Sequence, residues 1–386
     1  MRKDFLVFGS PRIEQAEIDE VVDSLKSGWI STGPKVARFE KLFKNYIGTN
    51  HALALNSCTA GLHLSMIVAG LQDGDEVITT PMTFGATANA IMHSRATPVF
   101  ADIELPTMNI DPENIEGKIT DKTRVIVPVH FAGRPCNMKR IKEIAQKHNL
   151  IIIEDAAHAL EATYHGQKIG TIGDLSVFSF YVTKNLVTGE GGMITTDNNT
   201  YAEMIQTYAL HGMSKGAWKR YSDEGFKHYQ IVYPGFKYNM MDIQAALGIH
   251  QLPQVGSYLK RREEIWHRYD EAFKQLPLNS PLPPEDNTTH ARHLYTVLLR
   301  LEELTADRNT IQQALFKNNI GTGIHFIALH LHPYYQEHFG YKRGDFPNAE
   351  FISDRTISLP LSAKLTDQDV TDVIEAVTKV LTHYKK

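Results

Sequence analysis

From residue 51 to residue 180 the chain repeats one unit: a short apolar run, a turn of small or polar residues, then a helical pattern. The apolar runs at 52–55, 76–80, 98–102, 124–130, 150–155 and 175–180 read as strands, and 62–71, 86–93 and 138–148 read as helices. Runs that are apolar on both faces belong to strands covered on both sides, so this alternation predicts an α/β fold with a mostly parallel, doubly wound sheet. Ligands of such sheets sit outside the carboxyl ends of the strands. The turns after Leu55, Thr80, Ile153 and Phe180 are therefore expected to converge.

The flanks are organised differently. Residues 11–26 carry Ile13, Ile18, Val21, Val22 and Leu25 at helical spacing, a turn follows at 27–34, and 36–47 resumes a helix. Past residue 200 the alternation fades, and the polar, aromatic stretch 208–233 reads as a lid or partner-contact loop. Helical patterns at 242–252 and 258–274 precede a loop at 277–289 rich in Pro and Asn. A second pattern then appears: a strand at 295–300, a helix at 307–318, a strand near 323–326 and a terminal helix at 367–383. With 386 residues the chain exceeds one ordinary core. The expected division is a large domain over 1–257 and a small C-terminal α/β domain over 258–386.

Composition excludes several classes. A formal charge of −4 speaks against nucleic acid as the main partner. The 18 histidines are scattered, with no CxxC pair or HExxH pattern, so no metal is assigned. Cys58 and Cys136 cannot build a disulfide framework, no apolar run reaches about 18 residues, and the first residues lack a signal-peptide pattern. A soluble, cytoplasmic chain with no membrane partner is expected.

Two strand ends carry chemistry. In Ser176-Val-Phe-Ser-Phe-Tyr-Val-Thr-Lys184 a buried-strand pattern runs into one lysine and then into the glycine-rich turn 189–192, which is read as close backbone packing and not as a phosphate loop. Upstream, Leu150-Ile-Ile-Ile-Glu-Asp155 ends on an acid. An amine and a carboxylate, each at the carboxyl end of a sheet strand, are what a pyridoxal 5'-phosphate site requires. Lys184 would form a Schiff base with the cofactor aldehyde and then carry protons, while Asp155 would keep the pyridine nitrogen protonated. The turn Asn56-Ser-Cys-Thr59-Ala60-Gly61 at a helix start suits a phosphate, with Ser179 adding a hydroxyl. His158 could reach the cofactor's phenolic oxygen, and Phe84 could stack on its ring. Each feature also has a bland reading: a helix cap at Ser57 or Thr59, a turn-capping aspartate, a structural histidine, a core phenylalanine.

The motifs together resemble the sugar-nucleotide aminotransferases of the DegT/DnrJ/EryC1/StrS family, which have the fold type I (aspartate aminotransferase-like) architecture. The matching stretches are Ser27-Gly-Trp-Ile-Ser-Thr-Gly-Pro34, Asn56-Ser-Cys-Thr-Ala-Gly-Leu-His63, Glu154-Asp-Ala-Ala-His-Ala159, Phe178-Ser-Phe-Tyr-Val-Thr-Lys-Asn185, Gly189-Glu-Gly-Gly192, the run from Gly235 to Gly248, and Gly323-Ile-His-Phe326. The resemblance implies that Lys184 is the catalytic lysine. It implies that Thr59, Ala60, Phe84, Asp155, His158 and Ser179 bind the cofactor, and that Asn239 reaches the cofactor phosphate of the neighbouring subunit in a homodimer with shared sites. Trp29, Thr32 and His325 match stretches that approach the substrate. The pattern is most similar to the branch that aminates C4 of UDP-linked 4-keto sugars, with L-glutamate as donor and the cofactor's pyridoxamine form as carrier. Met240-Met241 stands where many members carry Arg-Met, and 213–233 has no clear counterpart. A C3 aminotransferase or dehydratase and a cofactor-binding regulator without turnover are the alternatives; Lys184, where the dehydrating relatives have histidine, speaks against dehydration.

Overall fold

The computed structural model describes residues 2–214 and 229–386. Seven strands form the main sheet: β1 (His51–Leu55), β2 (Glu76–Thr79), β3 (Thr97–Phe100), β4 (Thr123–Val127), β5 (Ile151–Asp155), β8 (Leu175–Ser179) and β9 (Gly192–Thr196), ordered β1-β9-β8-β5-β4-β2-β3. The pairs β3–β2, β2–β4, β4–β5 and β5–β8 are parallel. Only β9 runs against its neighbours, pairing antiparallel with both β8 and β1. Since β1 and β8 each oppose β9, they point the same way, and the ends of β1, β2, β5 and β8 open on one edge of the sheet. A small hairpin, β6 (Thr163–Tyr164) and β7 (Gln167–Lys168), interrupts the path from β5 to β8.

Helices cover both faces. Against one face lie α2 (Pro34–Ile47) and α6 (Met138–His148), which bury Phe39, Phe43, Ile141 and Ile144 with Phe178 and Phe180. Against the other lie α3 (Cys58–Val68), α4 (Gly85–His93) and α7 (Asn199–Ala209), which bury Leu62, Leu64, Ile91 and Ile205 with Leu53, Val77, Ile153 and Val177. Successive residues of one strand thus enter two different cores, which is why these strands read as continuous apolar runs. The short α5 (Pro112–Glu116) joins β3 to β4.

Two helical stretches differ from the sequence reading. In α1 (Gln15–Ser27) the buried residues are Glu17 and Ser24, while Ile18, Val22 and Leu25 are exposed. The reason is polar: Glu17 accepts a hydrogen bond from Gln251 at 2.7 Å on α8 (Asp242–Gln251), so the apolar stripe faces outward. The stretch 208–233 begins inside α7, and its two arms pair through Met213 and Ile231. The middle of that expected lid, 215–228, lies outside the described residues.

A second, three-stranded antiparallel sheet joins β10 (Leu278–Asn279), β11 (Tyr295–Leu299) and β12 (Thr356–Leu359). The helices α9 (Val255–Phe273), α10 (Arg308–Lys317) and α13 (Asp367–Tyr384) pack on it around Trp266, Tyr269, Tyr295 and Val373. Leu6 pairs with Ile320 and enters this same core. The expected strand near 323–326 is not formed; a single bridge, Gly323 to Ser358, stands in its place. From there the chain passes beside the main sheet's open edge and enters α11 (Pro333–Phe339) and α12 (Pro347–Arg355).

Candidate active site

The turns after β1, β2, β5 and β8 enclose one cavity of about 520 Å³, lined among others by Thr59, Phe84, Asp155, His158, Ser179, Lys184 and His325. Seven of the expected site residues are thus brought together. The amine and the acid come from adjacent strands: Asp155 is the last residue of β5, in register with Val177 of β8, and Lys184 follows β8 by a turn closed by its own N–H to Tyr181 O at 2.8 Å.

Burial lowers Lys184 to about 8 from its ordinary value of 10.5, although the charges of Cys58 and Asp155 pull upward. The amine is therefore far easier to deprotonate than a surface lysine. Burial raises the Asp155 carboxyl above its ordinary value, opposed by two hydrogen bonds and by the charges of Lys184 and His130. Those bonds fix the acid's orientation: Thr87 Oγ1 donates to Oδ2 at 2.8 Å and the Ala157 N–H donates to Oδ1 at 3.2 Å. Thr87 in turn contacts Thr83 Oγ1 at 2.8 Å, one helical turn back.

His158, His293 and His325 sit around the lysine, and burial pushes all three down, His325 to about 4. They are neutral near pH 7. The His158 Nδ1 accepts the Ala132 N–H at 3.2 Å, so its proton resides on Nε2. Its ring lies 4.3 Å from that of His293, and His293 Nδ1 is 3.0 Å from Asn185 Oδ1. Asn185 donates to Glu161, whose other oxygen pairs with buried Arg262. The residue after Lys184 is thereby tied to α9. His325 Nδ1 bonds Ser358 Oγ at 2.9 Å, and its ring stacks on Phe8.

At the β1 end, Ser57 caps α3 by accepting the Ala60 N–H at 3.1 Å, so the cap reading of this turn holds. The turn is held against β9: a Cβ on Gly192 would stand 2.5 Å from the backbone of Ser57 and Cys58. The close backbone packing expected of the glycine run is met at Gly192, while Gly189, at φ +80°, serves the turn with nothing near its Cβ position. Phe84, at the start of α4, leaves its ring 68% exposed over the cavity mouth.

The remaining expected residues lie elsewhere. Ala60 is buried behind the turn and does not line the cavity. Thr32 and Asn239 line a separate cavity of about 420 Å³, where Asn239 Nδ2 donates to Thr32 Oγ1 at 2.6 Å and Asn239 Oδ1 is buried without a partner. Trp29 is exposed on the same flank. Three residues of the site escaped the sequence reading. Thr87 was legible only as the i+4 partner of Thr83, and His293 and Asn185 carry no local signal.

These residues fit pyridoxal phosphate. The cavity holds an amine of lowered basicity, a buried acid with no salt bridge among the described residues, and hydroxyls beside a helix start. Its volume lies within the roughly 300–1,000 Å³ of small-molecule sites.

The sequence profile of the DegT/DnrJ/EryC1/StrS aminotransferase family matches residues 11–378, and this chain belongs to that family. It is a pyridoxal phosphate-dependent aminotransferase of fold type I. The spore coat polysaccharide biosynthesis protein SpsC of Bacillus subtilis is 51% identical over 382 residues, 98% of each chain. Among solved structures, the Streptococcus pneumoniae protein Spr1654, described as a sugar aminotransferase, superposes in its PMP form with a TM-score of 0.91 at 37% identity, covering 98% of this chain and 99% of its own. It has also been solved in a PLP form. PseC of Helicobacter pylori, an aminotransferase of pseudoaminic acid biosynthesis, gives a TM-score of 0.91 at 30% identity over 99% of this chain and 100% of its own.

Proposed function

We propose that this protein transfers the amino group of L-glutamate to the C4 keto group of a nucleotide-linked 4-keto sugar, with UDP as the nucleotide. The observation that carries the reading is the pairing of Lys184 and Asp155 across one cavity, within a fold shared with sugar aminotransferases. Motifs running from Ser27 to Phe326 support the C4, UDP-linked branch. The name of the Bacillus relative supports a product destined for a polysaccharide, and the absence of any described helix long and apolar enough to cross a membrane accords with a cytoplasmic enzyme.

Bound in this cavity, pyridoxal phosphate supplies an aldehyde that carries amino groups and a ring that draws electrons from the substrate Cα. Lys184 Nζ would hold that aldehyde, and its lowered basicity leaves a free amine able to take the proton from Cα and deliver it across the nitrogen to the carbon that was the aldehyde's. Asp155, oriented by Thr87, would face the pyridine nitrogen. His158, with its proton on Nε2, would donate to the phenolic oxygen. Thr59 and Ser179 would hold the phosphate, Phe84 would cover the ring, and His325 would meet the sugar.

We further propose a two-fold homodimer in which Asn239, Thr32 and Trp29 complete the partner's site. Support comes from the unpaired Asn239 Oδ1 and from the exposed Ile18, Val22, Leu25, Trp29 and Ile30 on the same side of the molecule. A division at 257/258 is supported by the separate core around Trp266 and Tyr295.

The test has two stages. Borohydride added to the cofactor-loaded protein should fix the label on Lys184, and peptide mapping that finds it on another residue rejects the assignment. A panel of UDP- and dTDP-linked 3-keto and 4-keto sugars with glutamate should then yield a C4 amine by NMR. A C3 amine or a dehydrated sugar would move the protein to another branch of the family.

A further inference from the structure

His293 lines the lysine's cavity without a part in the steps above, and its hydrogen bonds leave it one chemical state. The Asn185 amide sets that state. Its NH₂ donates to Glu161 Oε2 at 2.7 Å and to Ala291 O at 3.1 Å. A carbonyl oxygen can only accept, and so can a carboxylate paired with Arg262. The amide therefore cannot be turned over, and its Oδ1 is the acceptor toward His293. His293 Nδ1, 3.0 Å from that oxygen, carries the proton, and Nε2 carries the lone pair.

The ring is also held in place. The His293 N–H donates to Ala132 O at 3.0 Å. Arg262 clamps the two residues before it, donating from Nε to Arg292 O at 3.0 Å and from Nη2 to Ala291 O at 3.1 Å. The ring meets His158 face to face, with centroids 4.3 Å and planes 33° apart, so neither imidazole uses a nitrogen of the other. Among the described residues no donor reaches His293 Nε2, and that nitrogen is not sealed off from the cavity.

The other groups near the amine are less suited as acceptors. His158 Nε2 holds a proton, since its Nδ1 accepts the Ala132 N–H. The Asp155 oxygens are taken by Thr87 and Ala157, and the Cys58 thiol, kept protonated by burial, donates to Val177 O at 3.9 Å. His325 faces the Ser358 hydroxyl, which fixes neither tautomer. Glu190 lines the cavity but is exposed to solvent.

We propose that His293 is a positioning residue for the proton carrier: its Nε2 accepts an N–H of Lys184 whenever that amine is free of the cofactor. The proposal rests on the reading of Lys184 as the amine that takes the proton from the substrate Cα. On taking it, the amine becomes an ammonium with three N–H groups. One of them held by His293 keeps the ammonium stabilised and aimed, while the transferred proton goes on to the carbon that was the aldehyde's. The imidazole does not compete for that proton, because burial pushes its basicity well below the ordinary value.

Two substitutions separate this role from a structural one. In His293→Asn the side-chain amide nitrogen falls near the place of Nδ1, so the tie to Asn185 survives and the cavity acceptor is lost. His293→Gln restores a polar atom near the place of Nε2. In the cofactor-stripped proteins, the pH dependence of Lys184 acetylation by trace acetic anhydride, read by peptide mass, reports the amine's titration. His293→Asn should titrate roughly one to two pH units below the wild type, the effect of one charge-assisted hydrogen bond, and His293→Gln should recover most of the difference. In the loaded enzymes, the glutamate half-reaction of His293→Asn should slow by roughly 10- to 100-fold, with a larger isotope effect for α-deuterated glutamate. Should the His293→Asn chain not fold, His293→Phe, which keeps a ring against His158, carries the same comparison. A shift that His293→Gln shares in full overturns the proposal, since packing and not the nitrogen would then be at work. Borohydride label on a residue other than Lys184 sinks the lysine assignment and this proposal with it. Label on Lys184 beside an unmoved titration overturns the proposal alone.

Discussion

Removing the amine of Lys184 should stabilise the cofactor-free protein. The lysine is buried enough to fall from 10.5 to about 8, so the folded state resists its protonation. The sign follows from linkage. Below pH 8 the amine is charged in both states and the folded protein bears the full penalty. Between pH 8 and 10.5 only the unfolded chain holds the proton, and the penalty shrinks with rising pH. Above 10.5 it is gone. Worked through, the cost is at most about 3 kcal/mol at pH 7 and about 2 kcal/mol at pH 9. The side chain is only partly shielded from solvent, which trims the expected gain of Lys184→Met to about 1–3 kcal/mol at pH 7. Methionine keeps the stem's length and apolar contacts and removes only the charge.

Equilibrium urea unfolding of both cofactor-stripped proteins at pH 7 and pH 9 measures this. The variant should have the higher midpoint at both pH values, with equal slopes and a smaller margin at pH 9. A variant less stable than wild type at pH 7, or a margin that grows toward pH 9, would refute the claim that burial is what lowers this amine.

Two further outcomes test other parts of the site. Asp155→Asn removes the charge proposed to face the pyridine nitrogen while keeping an acceptor for Thr87. With a charge-assisted hydrogen bond worth about 1.5–3 kcal/mol, the stopped-flow glutamate half-reaction should slow by roughly 10- to 150-fold with little change in melting temperature. An unaltered rate would show that the acid does not meet the ring. Lys184→Ala and Asn239→Ala proteins, each impaired alone, should recover up to about a quarter of wild-type activity when mixed and allowed to exchange subunits. Each mixed dimer then contains one site with both residues intact. Lack of recovery, once exchange is verified by mass, would place Asn239 outside the partner's site.

Much of this site was legible because a parallel sheet leaves few options. A strand covered on both faces is mostly apolar, so an acid at its end (Asp155) or a lysine just past one (Lys184) stands out against its own segment. The sheet does the rest. With β5 and β8 adjacent and parallel, the two groups can only emerge on the same edge, and no long-range information is needed to bring them together. Thr87 orients Asp155 from a helix 68 residues away in sequence, and His293 reaches His158 from the segment leading into the second sheet, so nothing in either local pattern announces the contact. The strand β9 was hidden for a related reason: Gly189–Gly192 reads as a turn, yet Gly192 is the first residue of a reversed strand, glycine because the backbone of Ser57 and Cys58 passes too close for a side chain. The stripe on α1 shows the same limit from the other side. Helical spacing identifies an apolar face but not what covers it, and here the chain's own core takes Glu17 and Ser24 while Ile18, Val22 and Leu25 stay exposed, where the proposed homodimer would cover them. The mixed-dimer assay and the lysine titration therefore probe the same edge of the sheet from its two sides, one across the subunit boundary and one within the chain.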